Sequence, residues 1–247
     1  MALGHYTNNS FVRQQASQLS AVDAGLRSYM LRIYGYMTAG LGITGVVALA
    51  ISSLAVSDGQ LTSVGLALYT PPLAWIVMFA PLGVVLLMSF RVHRLQAATV
   101  QMLFWVLAAC YGVSLSSIFL VYTGESIVRV FFIAASMFLA MSVWGYTTKR
   151  SLSGLGSFLF MGMIGIFIAM LVNLVLASSG LQFMISVLGV LIFAGLTAYD
   201  TQKLKEMYVA GQSGELAVKQ AVMGALSLYL DFLMIFVFLL QLLGNRE

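Results

Sequence analysis

Seven long apolar stretches dominate this sequence, and each has about the length that an α-helix needs to cross a bilayer, roughly 20 residues. They cover residues 30–53, 72–90, 97–121, 126–146, 155–177, 181–200 and 220–243. Charged residues make up only 8% of the chain, against about 25% in soluble domains. The sequence therefore predicts an all-α integral membrane protein with seven transmembrane helices, made of an N-terminal arm at 1–29 and one membrane domain at 30–247.

Lys and Arg residues are distributed unequally between the two sides of these stretches. Ten of the 12 lie on the side that carries the N-terminus, and only Arg129 and Arg246 lie on the other. Basic residues near the ends of spans are retained in the cytoplasm. The bias predicts a cytoplasmic N-terminal arm and a C-terminus outside. The same bias explains the net charge of +4, because the basic residues lie on the side of the membrane where they contact anionic lipids. The lipid bilayer is therefore the expected partner, and nucleic acid is not.

The residue patterns of common catalytic and metal sites are absent from the sequence. Cys110 is the single cysteine, so neither a thiol metal cluster nor an intrachain disulfide is expected. His5 and His93 are far apart, and no HExxH, P-loop or GxSxG pattern occurs. We therefore expect a protein that is not an enzyme and has no resident cofactor.

Two aspartates interrupt the last two apolar stretches. Asp200 ends the sixth and Asp231 lies within the seventh. A carboxylate at bilayer depth costs roughly 2.5–3.5 kcal/mol on insertion scales, so such residues are kept for a partner or a function. Because consecutive spans are antiparallel, the two acids are predicted to face each other, with Thr197 and Ser227 as supporting polar side chains on the same two helices.

The predicted pair has a functional and a structural interpretation. Two acids close together in a low-dielectric interior do not readily both ionise, so they are expected to share a proton and to titrate as one unit. The functional interpretation is a pH-controlled latch or a cation site at Asp200 and Asp231. The structural alternative is that each acid only bonds to a neighbouring helix, or that Asp200 extends to the surface near Lys203.

Arg91, at the end of the second span, is the nearest basic candidate for a contact with the pair. A guanidinium can hold a carboxylate with two parallel hydrogen bonds, so Arg91 is a candidate latch. The alternative is that Arg91 only anchors the helix end at the cytoplasmic surface, and Arg94 is close enough in sequence to take either role.

Five segments together resemble one known family, the transmembrane Bax inhibitor motif (Bax inhibitor-1-like) proteins, and most closely its bacterial inner-membrane branch. The segments are GYTTKR at 145–150, SLS at 151–153, YDTQ at 199–202, LSLYLDF at 226–232 and YGVSLSSIF at 111–119. The resemblance extends over nearly the whole chain from Arg27.

The resemblance implies a fold in which the seventh helix is surrounded by the other six. It also implies a pH-sensitive calcium leak whose paired aspartates match Asp200 and Asp231, with a helix-two arginine that matches Arg91. Some bacterial relatives associate with a membrane-bound protease. One departure is visible: some members carry a glutamate within the second helix, and residues 74–90 contain no acid here.

Two rival functions are considered beside a leak channel. An intramembrane aspartyl protease also has a Tyr-Asp on one helix and an Asp on the next, but it needs a Gly-x-Gly before the second Asp. Here LYL, residues 228–230, precedes Asp231, which argues against the protease. The other rival is a non-conducting membrane regulator that binds and modulates a membrane-bound protease or a stress response.

Overall fold

The computed structural model describes the backbone of residues 4–57, 60–210 and 213–245, and side chains from residue 23 onward. Its helices are α1 (Gly4–Ala55), α2 (Ser63–Tyr69), α3 (Leu73–Arg91), α4 (Ala97–Leu115), α5 (Ile118–Val121), α6 (Gly124–Thr147), α7 (Ser153–Leu176), α8 (Ser179–Glu206) and α9 (Glu215–Leu243). Two strands, β1 (Val56–Ser57) and β2 (Gln60–Leu61), pair antiparallel in the loop after α1.

Seven helical segments in the described residues are long and apolar enough to span a membrane. They lie at Asp23–Ala55, Leu73–Arg91, Ala97–Val121, Gly124–Thr147, Ser153–Leu176, Ser179–Glu206 and Glu215–Leu243, which confirms the seven predicted spans. One feature differs from the expectation of a separate arm. Helix α1 begins at Gly4, so most of the segment at 1–29 continues into the first span as one helix, while residues 1–3 lie outside the described part.

Helix α9 is the central helix of the bundle, as the sequence predicts. It is the most buried span, and it packs against α1, α4, α6 and α8. Small residues permit this close packing, because an added Cβ at Gly189 on α8 would lie 2.5 Å from the ring of Phe238 on α9.

Helices α3 and α7 are the outer helices of the bundle. Each buries only 11% of its membrane-length window, because α3 packs mainly on α4 and α7 mainly on α8. The gap between these two helices leads inward to the α8–α9 contact. One end of the bundle carries most of the basic residues and is here called the basic end: Arg91, Lys149, Arg150, Lys203 and Lys219. The other end is called the opposite end.

Candidate functional site

The two intramembrane aspartates line one cavity. Asp200 lies near the end of α8 and Asp231 lies in the middle of α9. Both border a cavity of about 740 Å³ between α3, α7 and the α8–α9 pair, here called the central cavity. The carboxyl groups are close enough to interact electrostatically. The predicted pair is therefore together in the fold, while its role as a pH sensor stays a prediction.

A second cavity, of about 390 Å³, lies at the basic end and is here called the basic-end cavity. It is bordered by Val92 and His93 after α3 and by residues of α8, α9 and their connection. Asp200, Lys203 and Ser227 border both cavities. The acid pair thus lies where the basic-end cavity meets the central cavity, which extends into the bundle.

The two acids have different surroundings. The half-buried Asp200 has the positive charge of Lys203 and the hydroxyl side chain of Ser227 nearby. Asp231 is only 5% exposed, and its Oδ2 atom has no hydrogen-bond partner within the described residues. Its charged neighbour is Asp200, which repels it when both are ionised. Asp231 is therefore the acid without a compensating group.

Close packing fixes the α8 backbone beside Asp200. An added Cβ at Gly145 of α6 would lie 2.2 Å from the carbonyl oxygen of Ala198, and one at Gly156 of α7 would lie 2.3 Å from the ring of Tyr199. Larger residues at either glycine would push α6 or α7 away from α8. These glycines therefore set the position of the residues that directly precede Asp200.

Hydrogen bonds fix the α8 backbone on the other side of Asp200. The Gln202 side chain accepts a hydrogen bond from the Leu152 amide at 2.7 Å and donates to the Arg150 carbonyl at 2.8 Å. The Thr201 hydroxyl lies 3.1 Å from that of Ser142 on α6, which in turn contacts the Tyr34 hydroxyl of α1. The motif residues at 145–153 and 199–202 are thus neighbours in space, and most of them hold α8 rather than line a cavity.

Helix α9 is fixed at the same depth by Tyr229, a fully buried residue. Its hydroxyl lies 2.7 Å from the hydroxyl of Thr44 on α1, and Thr44 also lies 2.9 Å from the carbonyl oxygen of Ala108 on α4. Tyr111, which borders the central cavity, packs edge-on against the Tyr229 ring. Two helices, α1 and α4, therefore hold the segment that carries Asp231.

The remaining predicted site residues lie apart from the cavities. Thr197 is buried, and its hydroxyl donates to the Phe193 carbonyl within α8 at 2.9 Å. Arg91 is exposed at the end of α3 and borders neither cavity. The single salt bridge within the described residues joins Lys219 and Glu215 at 3.7 Å. Both interpretations of Arg91, as a latch on the acid pair and as an anchor of the helix end at the membrane surface, stay predictions.

Two residues that sequence reasoning did not assign to the site border it. Lys203 follows Asp200 by three positions, so the helical period would have placed it on the same face. His93 lies in the connection after α3 and borders the basic-end cavity together with Asp200. No periodic pattern marks a loop residue, so no signal in the sequence indicated His93.

The site offers oxygen atoms but not a dense metal cage. In the parts of the chain that the structure describes, no group of three or more His, Cys, Asp or Glu side chains could hold a metal ion. A resident Ca²⁺ takes 6–8 oxygen ligands. The two carboxyl groups and the Ser227 hydroxyl supply fewer oxygen ligands than such an ion takes.

A different polar contact joins α7, α8 and α9 at the opposite end. Gln241 of α9 accepts hydrogen bonds at its Oε1 from Gln182 at 2.7 Å and from Ser186 at 2.8 Å, both on α8. Asn173 of α7 donates to Gln182 at 3.0 Å and accepts from the Ser178 amide at 3.0 Å. This group, the amide network, is neutral. It connects Asn173 of α7 to Gln182 of α8 across a helix contact.

Sequence comparisons agree with this architecture. The family model described as "Inhibitor of apoptosis-promoting Bax1" matches residues 26–247. A Rickettsia prowazekii protein is 45% identical over 231 residues, which are 94% of this chain and 95% of that protein. The Escherichia coli inner membrane protein YbhL is 45% identical over 91% of this chain and 94% of its own length. A Streptococcus pyogenes membrane protein is 33% identical over 91% of this chain and 96% of its own length.

Proposed function

The chain belongs to the Bax inhibitor-1-like family of membrane proteins, and we propose that it is a pH-sensitive calcium leak, gated by Asp200 and Asp231. The E. coli relative is an inner membrane protein, and the seven membrane-length helices of this chain support the same multi-pass location. The proposed role is conduction without catalysis.

One observation carries the proposal. The acid pair borders the central cavity, and Asp200 borders the basic-end cavity as well. A cation that passed from one cavity to the other would meet both carboxyl groups. An ionisable group within a membrane span is energetically costly, so such groups are usually kept for a function. Asp231 also lacks a hydrogen-bond partner at Oδ2 within the described chain.

The pair can couple conduction to pH through its charge. With a shared proton the pair carries one negative charge, and loss of that proton adds a second charge and repulsion between α8 and α9. Other titratable side chains border the same cavities: Lys203, Lys219, Tyr199, Tyr111 and His93. Histidine is the side chain that proteins use most often as a pH switch, so His93 is the main rival to the pair as a pH sensor.

The test is calcium flux into proteoliposomes as a function of pH. Asp231→Asn and Asp200→Asn should each flatten the pH response, because an amide cannot exchange the shared proton. Asp23→Asn is the matched control, since Asp23 is exposed and borders neither cavity. His93→Gln should leave the response in place if the pair is the sensor.

The proposal is wrong if both Asn variants conduct calcium with the pH profile of the wild type. It is also wrong if His93→Gln alone abolishes the response, because the sensor would then lie in the basic-end cavity rather than at the pair.

A second candidate function is a non-conducting regulator that binds a membrane-bound protease. The amide network favours it, because neutral side chains close the contact of α7, α8 and α9 at the opposite end, and none of them borders the central cavity. Purification from membranes with a bound protease, together with calcium flux no greater than that of protein-free liposomes, would support the regulator over the leak.

A further inference from the structure

The central cavity is apolar except at its inner end. Its walls carry Leu82 of α3, Phe160 and Phe167 of α7, Phe193 of α8 and Met234 of α9. The polar inner end is formed by Asp200, Lys203, Ser227 and Asp231. An apolar chamber with a few convergent polar groups is the usual form of a small-molecule site, and about 740 Å³ lies within the common range of roughly 300–1,000 Å³.

The outer rim of this cavity faces the surface that α3 and α7 present to lipid. Leu82 is 52% exposed, Phe160 is 56% exposed and Met161 is 65% exposed, and all three border the cavity. A molecule dissolved in the bilayer could therefore enter laterally between α3 and α7 without crossing the basic end.

The charges at the inner end select the type of molecule. Lys203 supplies a positive charge near Asp200, whereas Asp231 has no such partner in the described chain. The buried Oδ2 atom of Asp231 lacks a hydrogen-bond donor, and a buried carboxylate is stable only when it is paired. An ammonium group supplies both the missing charge and the missing donors.

We propose that the central cavity binds a hydrophobic amine, which enters from the bilayer between α3 and α7 and places its ammonium at Asp231. The apolar body of the amine packs against Phe160, Phe167 and Met234. A neutral hydrophobic molecule lacks the charge that Asp231 selects, and a small hydrophilic amine lacks the apolar body that the walls require.

A matched pair of compact probes tests the selection in the wild-type protein. The probes are 1-adamantylamine and 1-adamantanol, which share one apolar cage and differ in charge. Binding to the full chain in lipid nanodiscs is measured by calorimetry, with protein-free nanodiscs as the partition blank. The alcohol should bind roughly ten- to a hundredfold more weakly than the amine, because its hydroxyl can donate a hydrogen bond to Asp231 but supplies no positive charge. Equal affinities would overturn the proposal.

Three variants locate the site. Asp231→Asn should weaken binding of the amine by a similar factor, roughly ten- to a hundredfold, and should leave that of the alcohol unchanged. Met234→Trp should weaken both probes, because the larger side chain fills the cavity while the acids remain. Asp23→Asn, at an exposed position away from the cavity, should bind both probes as the wild type does. Wild-type affinity for the amine in Asp231→Asn, with a cooperative unfolding transition retained, would overturn the proposal.

Binding does not depend on conduction, so this inference and the proposed leak fail separately. An amine that binds through Asp231 to a protein without calcium flux supports the inference and removes the leak. Calcium flux with a pH response that depends on Asp231, together with no difference between the two probes, removes the inference and leaves the leak.

Discussion

Helices α8 and α9 meet through polar side chains at two depths, and the two contacts differ in their chemistry. At the opposite end, the amide network joins Gln182, Ser186 and Gln241 by neutral hydrogen bonds of 2.7 and 2.8 Å. Toward the basic end, Asp200 and Asp231 border cavities, and Asp231 keeps an unpartnered oxygen within the described chain. Neutral groups that bond to one another hold helices together. An acid pair beside a cavity leaves a charge available for a cation, which indicates function.

The largest effect on stability is expected from Gln241→Leu. The change removes the acceptor of both Gln182 and Ser186 and leaves polar groups at the helix contact without their partner. The free energy of unfolding should fall by about 1–2 kcal/mol, near the upper range for interhelical hydrogen bonds in membranes. Reversible unfolding in mixed micelles measures this change in the free energy of unfolding. Unchanged stability would mean that the amide network does not hold the helices.

A somewhat smaller effect is expected from Gln202→Leu at the basic end. The Leu152 amide and the Arg150 carbonyl lose their partners. Water can replace the partner of the carbonyl of the exposed Arg150, but less readily that of the buried Leu152 amide. The loss should be about 0.5–1.5 kcal/mol, measured by the same unfolding assay. Wild-type stability of this variant would show that the 199–202 motif does not fix α8.

Ser227→Ala and Thr197→Val separate the two supporting polar residues that the sequence predicts. Ser227 borders both cavities beside Asp200, whereas the Thr197 hydroxyl donates to the Phe193 carbonyl within α8. Ser227→Ala should move the pH midpoint of calcium flux upward by up to about one unit, because a hydroxyl that can donate to the charged carboxylate is lost. Thr197→Val should leave the midpoint in place, and equal shifts in both variants would contradict the assignment.

The smallest effect is expected from Arg91→Gln. Arg91 is exposed and borders neither cavity, so the geometry favours the anchor over the latch. Stability should change by less than about 0.5 kcal/mol, as for most surface substitutions, and the pH profile of flux should be retained. A flattened profile in Arg91→Gln would restore the latch, and Arg94→Gln is the matched control.

The sequence predicts the membrane fold well because its strongest signals are long and periodic. All seven spans are confirmed, since a bilayer leaves few alternatives to a helix for an apolar stretch of this length. The central place of α9, which the family resemblance implies, is confirmed as well. The acids are recognisable because a carboxylate stands out in such a stretch. The continuous helix α1 was missed, because a polar helical arm carries no apolar period. The orientation of the termini stays a prediction.

The surroundings of the acids were harder to predict than the acids themselves. Gln202 looks like a surface residue in sequence, yet it bonds to two backbone groups 50 or more positions away. His93 joins the basic-end cavity only because the connection after α3 lies beside α8 and α9. Contacts of this kind depend on how helices are packed together, and no local pattern encodes them.

The most direct test of the account compares Asp231→Asn with Gln241→Leu in one calcium flux assay across a pH series. The account predicts that Asp231→Asn keeps near wild-type stability and loses the pH response, because the neutral amide has the same size and costs less to bury. It predicts that Gln241→Leu loses stability and keeps the pH response. A pH response that persists in Asp231→Asn, or that vanishes in Gln241→Leu alone, would contradict it.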